Sequence, residues 1–364
     1  MAIAGTNIPL NTAEGEDKIT VTEKVTSAYF SDGSTQLDGG SIVSSSIADS
    51  NETYYYGLSK SGTNSTVEFN VTYGHVDGNG GDDVDNTVKS PTEVIYKQWA
   101  NLLLPPTEVT GGFFISSNGS SGQLSAKDSE IYVMSARRSN MKDRLNKKNW
   151  TLLFSGSNGT SLAGIELSLT DDSSNDSPTA TPVGDRYNIV SGSDGTIQTA
   201  ASTKTYGFFY PDLGVMVFSG AELSASLPGS SSKADTAVVY DANNQRGFGA
   251  TTNQDADYSS AVRLINCLTT SGSKMKFRDE EDQVSAQYFC RIKSGHNNFS
   301  NNPTFVSGSL NELRQTTMKG NPTTYISQVQ MFNSAGDMVA VGNLSTPLKK
   351  NFSSEATIKV KLTY

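Results

Sequence analysis

Only two segments of this chain place apolar side chains at helical spacing, and that scarcity limits the fold more than any other feature. In the first, Ile95, Trp99, Leu102 and Leu103 recur at i, i+4, i+7 and i+8. Ser90 is placed as N-cap, Pro91 fits N1, Glu93 fits N3 of a capping box, and Pro105-Pro106 stop the run. The spacing predicts a helix over 91–104. In the second, Ala261, Leu264, Ile265 and Leu268 form a stripe with Gly272 beyond it, which predicts a helix near 258–269.

The remaining sequence is hostile to helix. Ser (50), Thr (36) and Asn (28) fill nearly a third of the 364 residues, and their side chains compete with the backbone for hydrogen bonds inside a helix. The 15 Phe and 15 Tyr still supply core material, and a net charge of -9 is too small to keep the chain extended. Strand patterns fill the space between the helices. Val67, Phe69, Val71 and Tyr73 alternate with polar neighbours, as in a half-buried strand. Ile165, Leu167 and Leu169 do the same, before a polar loop at Asp171–Ser177. A strand is expected from Ser285 to Ile292. Thr324–Phe332 and Met338–Leu344 flank Asn333–Asp337 as a hairpin with a five-residue loop. The last strand, Ala356–Tyr364, puts Ile358, Val360, Leu362 and Tyr364 on one face.

The expected fold is therefore mainly β, with two or more β-sandwich or β-sheet domains and a few short helices. Three regions are expected: a β-rich N-terminal arm or domain over 1–90, a central β domain over 91–265 and a C-terminal β domain over 266–364. Charge follows the same order, with residues 1–135 net -11, 136–265 net -2 and 266–364 net +4. No window is long and apolar enough for a membrane span, and the first residues lack the basic and apolar regions of a signal peptide. Cys267 and Cys290 are then expected reduced.

Residues that could carry chemistry are few. His75 and His296 each lie in polar stretches and read as solvated loop histidines; no GxSxG, HExxH or CxxC accompanies them. The Asp77–Asp85 stretch, DGNGGDDVD, fails the calcium-loop template, with Asp82 where glycine is required and Val88 where Glu is required. It reads as a solvated acidic loop. Arg137, Arg138, Lys142, Arg144, Lys147 and Lys148 crowd into twelve residues. In an acidic chain without a nucleic-acid module, such a patch fits an acidic protein neighbour better than nucleic acid. Arg278-Asp279-Glu280-Glu281-Asp282 reads as a solvated turn before a strand, because adjacent carboxylates do not face each other across a glycosidase cleft. Tyr54-Tyr55-Tyr56 and Phe208-Phe209-Tyr210 are candidate sugar platforms, with ordinary core aromatics the simpler reading. No catalytic, cofactor-binding or metal-binding residue is assigned, and no cofactor is expected.

Several stretches resemble virion structural proteins of contractile-tailed bacteriophages, especially those of cyanobacteria. They are VIYKQWANLLLPP, NMKDRLNKKNWTLLFSGSNG, PVGDRYNIVSGSDGT, YFCRIKSGHNNFSNNPTFVSGS and the C-terminal NPTTYISQVQMFNSAGDMVAVGNLSTPLKKNFSSEATIKVKLTY. The resemblance covers most of 20–364 and is strongest from Met134. The hairpin Y-I-x-x-V-x-x-x-N-x-x-G-D-x-V-A-V-G is similar to one in tail-collar and fibre-attachment proteins. The resemblance implies a non-enzymatic baseplate or tail component that joins tail parts or anchors fibres. A neck, collar or capsid-decoration protein, or a receptor-binding or polysaccharide-degrading tail protein, are the alternatives. It implies a homo-oligomeric ring, trimeric or hexameric, with other tail proteins as partners, no membrane or nucleic acid, and location in the virion after assembly in the host cytoplasm.

Overall fold

The computed structural model describes residues 9–11, 16–45, 54–62, 66–78, 91–108, 112–115, 127–158, 161–198, 204–227, 248, 259–307 and 312–363. Strands hold 49% of the chain and helices 14%, so the protein is mainly β. In chain order the first elements are β1 (Lys18–Ala28), β2 (Gln36–Asp38), β3 (Ile42–Ser44), β4 (Tyr55–Lys60), β5 (Val67–His75) and α1 (Pro91–Leu103). There follow β6 (Glu130–Ala136), β7 (Arg144–Leu145), β8 (Thr151–Asn158), β9 (Ser161–Asp171), β10 (Thr179–Thr181), β11 (Gly184–Ser193) and β12 (Thr196–Ile197). Next come β13 (Gly207–Tyr210), β14 (Val215–Ser219), α2 (Gly220–Ser226), α3 (Ser259–Thr269) and β15 (Lys274–Lys276). The last are β16 (Arg278–Ile292), β17 (Val306–Ser307), β18 (Glu312–Leu313), β19 (Thr324–Phe332), β20 (Met338–Lys350) and β21 (Ala356–Thr363).

Two compact units result: Val25–Glu281, and Met1–Lys24 together with Asp282–Tyr364. The expected boundaries at 90/91 and 265/266 do not coincide with this division. The first falls in a connection between packed elements, since β5 pairs with β6 and Gly74 of β5 lies against the Tyr96 backbone of α1. The second falls inside α3.

The larger unit is built on one nearly closed sheet, ordered β2-β15-β8-β9-β11-β13-β14-β6-β5-β4-β3. Its terminal strands β2 and β3 are consecutive in the chain, joined by a 3₁₀ turn at Gly39–Ser41. Every strand along that path contributes to one enclosed cluster, from Leu37 of β2 and Met275 of β15 round to Leu58 of β4 and Ile42 of β3. Leu264, Ile265 and Leu268 of α3 fill the same cluster. Trp150 stacks on Phe277 at 5.7 Å between ring centres, and Phe277 meets Phe69 at 4.8 Å.

Where the sheet is covered on its second face, the alternation is visible residue by residue. Tyr132 and Met134 of β6, Met216 and Phe218 of β14 and Phe209 of β13 enter the enclosed cluster. Their neighbours Ile131, Val133, Val215, Val217, Phe208 and Tyr210 join a second cluster with Tyr96, Ala100 and Leu103 of α1. That is why these strands read as continuous apolar runs. β5, expected half-buried, is covered on both faces for the same reason. Helix α1 lies where predicted but presents Tyr96 and Ala100 inward, while Leu102 is 46% exposed; its Ser90 cap falls outside the described residues. Helix α3 keeps its predicted stripe. The short α2, capped by Ser219 accepting from the Glu222 amide, had no sequence stripe to announce it.

In the smaller unit, β16 pairs with β21 in antiparallel register from Ser285↔Thr363 to Ile292↔Ala356. Thr357, Lys359, Lys361 and Thr363 point to solvent, as the alternation requires. Tyr364 lies outside the described residues. The β19–β20 hairpin has its expected loop, with Asn333 and Asp337 joined across it and Gly336 at φ +89°. Strand β20, expected to end at Leu344, continues to Lys350.

Gly39 tests the closure of the larger sheet. A Cβ there would stand 1.9 Å from Ser273 Oγ and 2.0 Å from the Thr270 carbonyl oxygen. The Gly39→Ala variant is expected to lose about 1–3 kcal/mol in urea denaturation, the usual cost of overpacking. A wild-type midpoint would show that the turn shifts freely.

Candidate functional site

The basic cluster and the acidic stretch, read separately in the sequence, are brought together by strand pairing. β7 pairs with the start of β16, setting Arg144 opposite Glu280 and Leu145 opposite Asp279. Arg144 Nη1 donates to Glu280 Oε1 at 2.9 Å and its Nε approaches Asp212 Oδ1 at 3.3 Å. Asn146 Nδ2 donates to the other Glu280 oxygen at 2.5 Å, and Lys142 pairs with Glu281 at 2.6 Å. Ser27 Oγ donates to Asp279 Oδ1 at 2.5 Å. The Arg278–Asp282 stretch is thus not a solvated turn. It is strand, and Asp279 and Glu280 are buried with dedicated donors: pairing with β7 brings the Arg144 cation to Glu280, and Ser27 of β1 serves Asp279.

This arrangement leaves Arg137, Arg138, Lys142 and Lys148 exposed on the surface. Arg137 and Arg138 also donate to the carbonyls of Val67 and Asp143. Lys147 donates to the Tyr187 hydroxyl at 2.7 Å and lies over its ring. Lys148 takes φ +68°, where its amide donates to Asp171 at 2.9 Å. The cluster works first as a clasp within the chain.

Buried carboxylates recur elsewhere in the larger unit. Glu68 accepts from the amide and hydroxyl of Ser31 and from Asn140 Nδ2. Asp128 accepts from the Ile115 amide at 2.7 Å and from Ser219 Oγ. Asp172 accepts from the amide and side chain of Asn188, and burial pushes its carboxyl above the usual range. Each carboxylate fastens one loop to a strand. Sequence gave no sign of these pairings, since the partners lie far apart in the chain.

His75 is not a solvated loop residue. It ends β5, is 9% exposed, and its Nδ1 accepts from the Asp77 amide at 3.1 Å. Burial lowers its pKa below the usual 6.5, against the opposing pull of Glu130 and Asp77. His296 is exposed in a turn, as expected. Of the acidic loop, Asp77 and Gly78 form a turn and Asn79–Asp85 lie outside the described residues. Phe208, Phe209 and Tyr210 are buried, as is Tyr56; Tyr54 is half-buried and Tyr55 alone is substantially exposed. Cys267 is buried, Cys290 is half-buried, and the two form no disulfide. Among the described residues no three His, Cys, Asp or Glu side chains are grouped to hold a metal ion, and no helix is long and apolar enough to cross a membrane.

The unusual surface lies in the smaller unit. Seven of the thirteen exposed large apolar side chains of the described residues fall between Tyr325 and Phe352. Beneath them the apolar cluster consists of Ile292, Ala356 and Ile358, with Cys290, Ile326, Val329 and Leu344 partly buried against it. The base of the hairpin is pinned by the fully buried Lys350, whose Nζ donates to Ser294 O, Asn298 Oδ1 and Asn351 O at 2.8–3.0 Å. Three donors meet three acceptors, so no N–H is left unmatched.

Comparison of this chain with protein-family models, with curated proteins and with solved structures gives no match.

Two predictions separate structural from surface charges. Replacing Arg144 with Ala removes the cation paired with buried Glu280 and is expected to cost about 3 kcal/mol in denaturant unfolding. Lys142→Ala, in a pair whose members are 45% and 35% exposed, is expected to cost less than about 1 kcal/mol. Equal losses would show that burial does not distinguish the two pairs. For His75 the folded pKa lies below the unfolded value, so protonation favours the unfolded chain. Its contribution is complete above pH 6.5 and is lost as pH falls toward the folded pKa. Melting temperature is expected to drop across that window, and His75→Gln is expected to flatten the drop. An unchanged pH profile in that variant would assign the loss to other groups.

Proposed function

We propose that the chain is a structural protein of a contractile-tailed phage particle, a baseplate or tail component that joins tail parts or anchors fibres. The observation that carries the reading is the hairpin β19–β20: a two-stranded sheet with an exposed apolar side, over a core of only three buried apolar side chains among the described residues. An isolated hairpin is marginal in water, and an assembly protein gains the missing contacts from its neighbours. The same stretch belongs to the C-terminal run that resembles virion proteins, and its hairpin is similar to one in tail-collar and fibre-attachment proteins. Burial supports an assembling role over a sugar-binding one, because both aromatic runs lie largely in the core. The role is non-enzymatic: the carboxylates singled out at Asp279 and Glu280 are committed to Ser27, Arg144 and Asn146.

The test is localisation. Density-banded particles of the phage whose genome encodes the chain are expected to contain it in fixed stoichiometry, with antibody label on the tail. Its presence in the lysate but absence from particles overturns the reading. Label on the head or neck replaces the tail assignment.

A further inference from the structure

We propose that the outward face of the β19–β20 hairpin seats a second copy of this chain, through the same face. The inference rests on the assembly reading above and names its partner.

The face is defined by the burial alternation. Ile326, Val329, Met331, Ala340 and Leu344 are the less exposed positions, turned toward the unit's own core. A register shift between Ile326 and Gln328 restores the alternation after Ser327. The opposite set is Tyr325, Gln328, Gln330 and Phe332 on β19, and Val339, Val341 and Asn343 on β20, with Met338 paired to Phe332 at one end and Lys349 paired to Tyr325 at the other. Tyr325 is 62% exposed, Phe332 54%, Met338 57%, Val339 66% and Val341 54%. At roughly 150–200 Å² for a side chain of this size, those fractions leave on the order of 500 Å² of apolar surface. That is at the upper end for the largest patch on a monomer. With the three amide side chains between them, the face approaches the ~800 Å² that each partner contributes to a standard interface.

Chemistry selects the occupant. One cation, Lys349, stands opposite Tyr325 at the end of the face. The outward residues along its middle, Gln328, Gln330, Phe332, Val339, Val341 and Asn343, are uncharged, so that stretch offers no counter-charge to an acidic or basic partner and no repulsion to its own copy. Its polar groups are amides, and an amide both donates and accepts. Gln330 already donates to Gln328 along the strand at 3.0 Å. A face of apolar side chains interleaved with amides is complementary to itself, which is what an interface between like surfaces requires.

The test uses the full chain. Light scattering and sedimentation over a wide concentration series are expected to show reversible self-association. The double variant Val339→Asp, Val341→Asp is expected to weaken it by more than ~10-fold, with far-UV circular dichroism and denaturation midpoint unchanged. Should that variant misfold, cysteine cross-linking decides. Gln330→Cys is expected to yield covalent dimers under mild oxidant and Asn101→Cys, at an exposed position of α1, none. Either a wild-type chain that stays monomeric, or a folded double variant that associates as tightly as wild type, overturns the proposal. So does a monomeric wild type entering particles that exclude the double variant, since the face then takes a different protein while the virion reading stands. Self-association through the hairpin in a chain absent from particles leaves this inference intact and removes the virion reading instead.

Discussion

The structure of the larger unit depends on one constraint, that a central strand buried on both faces must divide its side chains between two cores. β6 and β14 meet it with unbroken apolar runs, Ile131–Met134 and Val215–Phe218, in which each successive residue changes cluster. Neither cluster could be weakened without exposing one side of the same strands. Burying a side chain of this size is worth roughly 1.5–3 kcal/mol, so a four-residue run feeding two cores contributes more than a strand with one wet face. The enclosed cluster can then span the whole sheet path, because the sheet curls until its terminal strands β2 and β3 lie at the two ends of one short turn, Gly39–Ser41.

Enclosure raises a second demand. Polar groups drawn in with the strands need partners, and an unmatched buried donor or acceptor costs about 1–3 kcal/mol. The abundance of Ser and Asn, which argued against helix, supplies those partners. Ser31 and Asn140 serve Glu68, Ser219 serves Asp128, Ser27 serves Asp279, and Asn146 shares Glu280 with Arg144. The composition therefore has two consequences of one cause: short side chains that bond to nearby polar groups are poor in helix interiors and useful where carboxylates are buried between strands.

What the sequence made legible was whatever depends on neighbours in the chain. Helix α3 and its stripe, the bounds of α1 and the five-residue hairpin loop follow from spacing, proline and glycine. Leu102 shows the limit, because a helical stripe marks a range of positions and only the packed sheet selects Tyr96 and Ala100 as its centre. His75 and the Arg278–Asp282 stretch were misread for a different reason. Both are polar in sequence and buried by strands supplied from elsewhere, β6 beside His75 and β7, more than a hundred residues away, beside Glu280. The clasp was present in the sequence as two charge runs of opposite sign, but nothing local paired them. The hairpin face was hidden by the opposite error: alternation announces two faces and does not say that one stays uncovered.

The two units differ in how completely they satisfy these demands. The larger one gives donors to its buried carboxylates Glu68, Asp128, Asp172, Asp279 and Glu280 and encloses most of its aromatic rings; among the described residues its exposed large apolar side chains are the scattered Val43, Tyr55, Val94 and Leu102. The smaller one gives its buried Lys350 three acceptors, yet leaves apolar side chains along the hairpin in water. Polar satisfaction with apolar exposure is the pattern of a surface fixed in shape before it meets its partner. Lys350 holds the strand at its base, and the Asn333–Asp337 loop holds it at its tip. Both ends of the face are thereby set in advance, which lowers the conformational entropy lost when the face is covered. On the assembly reading proposed above, a hairpin held in this way would associate weakly as a pair and tightly when many copies are held in one assembly, since each further contact would form within an already bound particle.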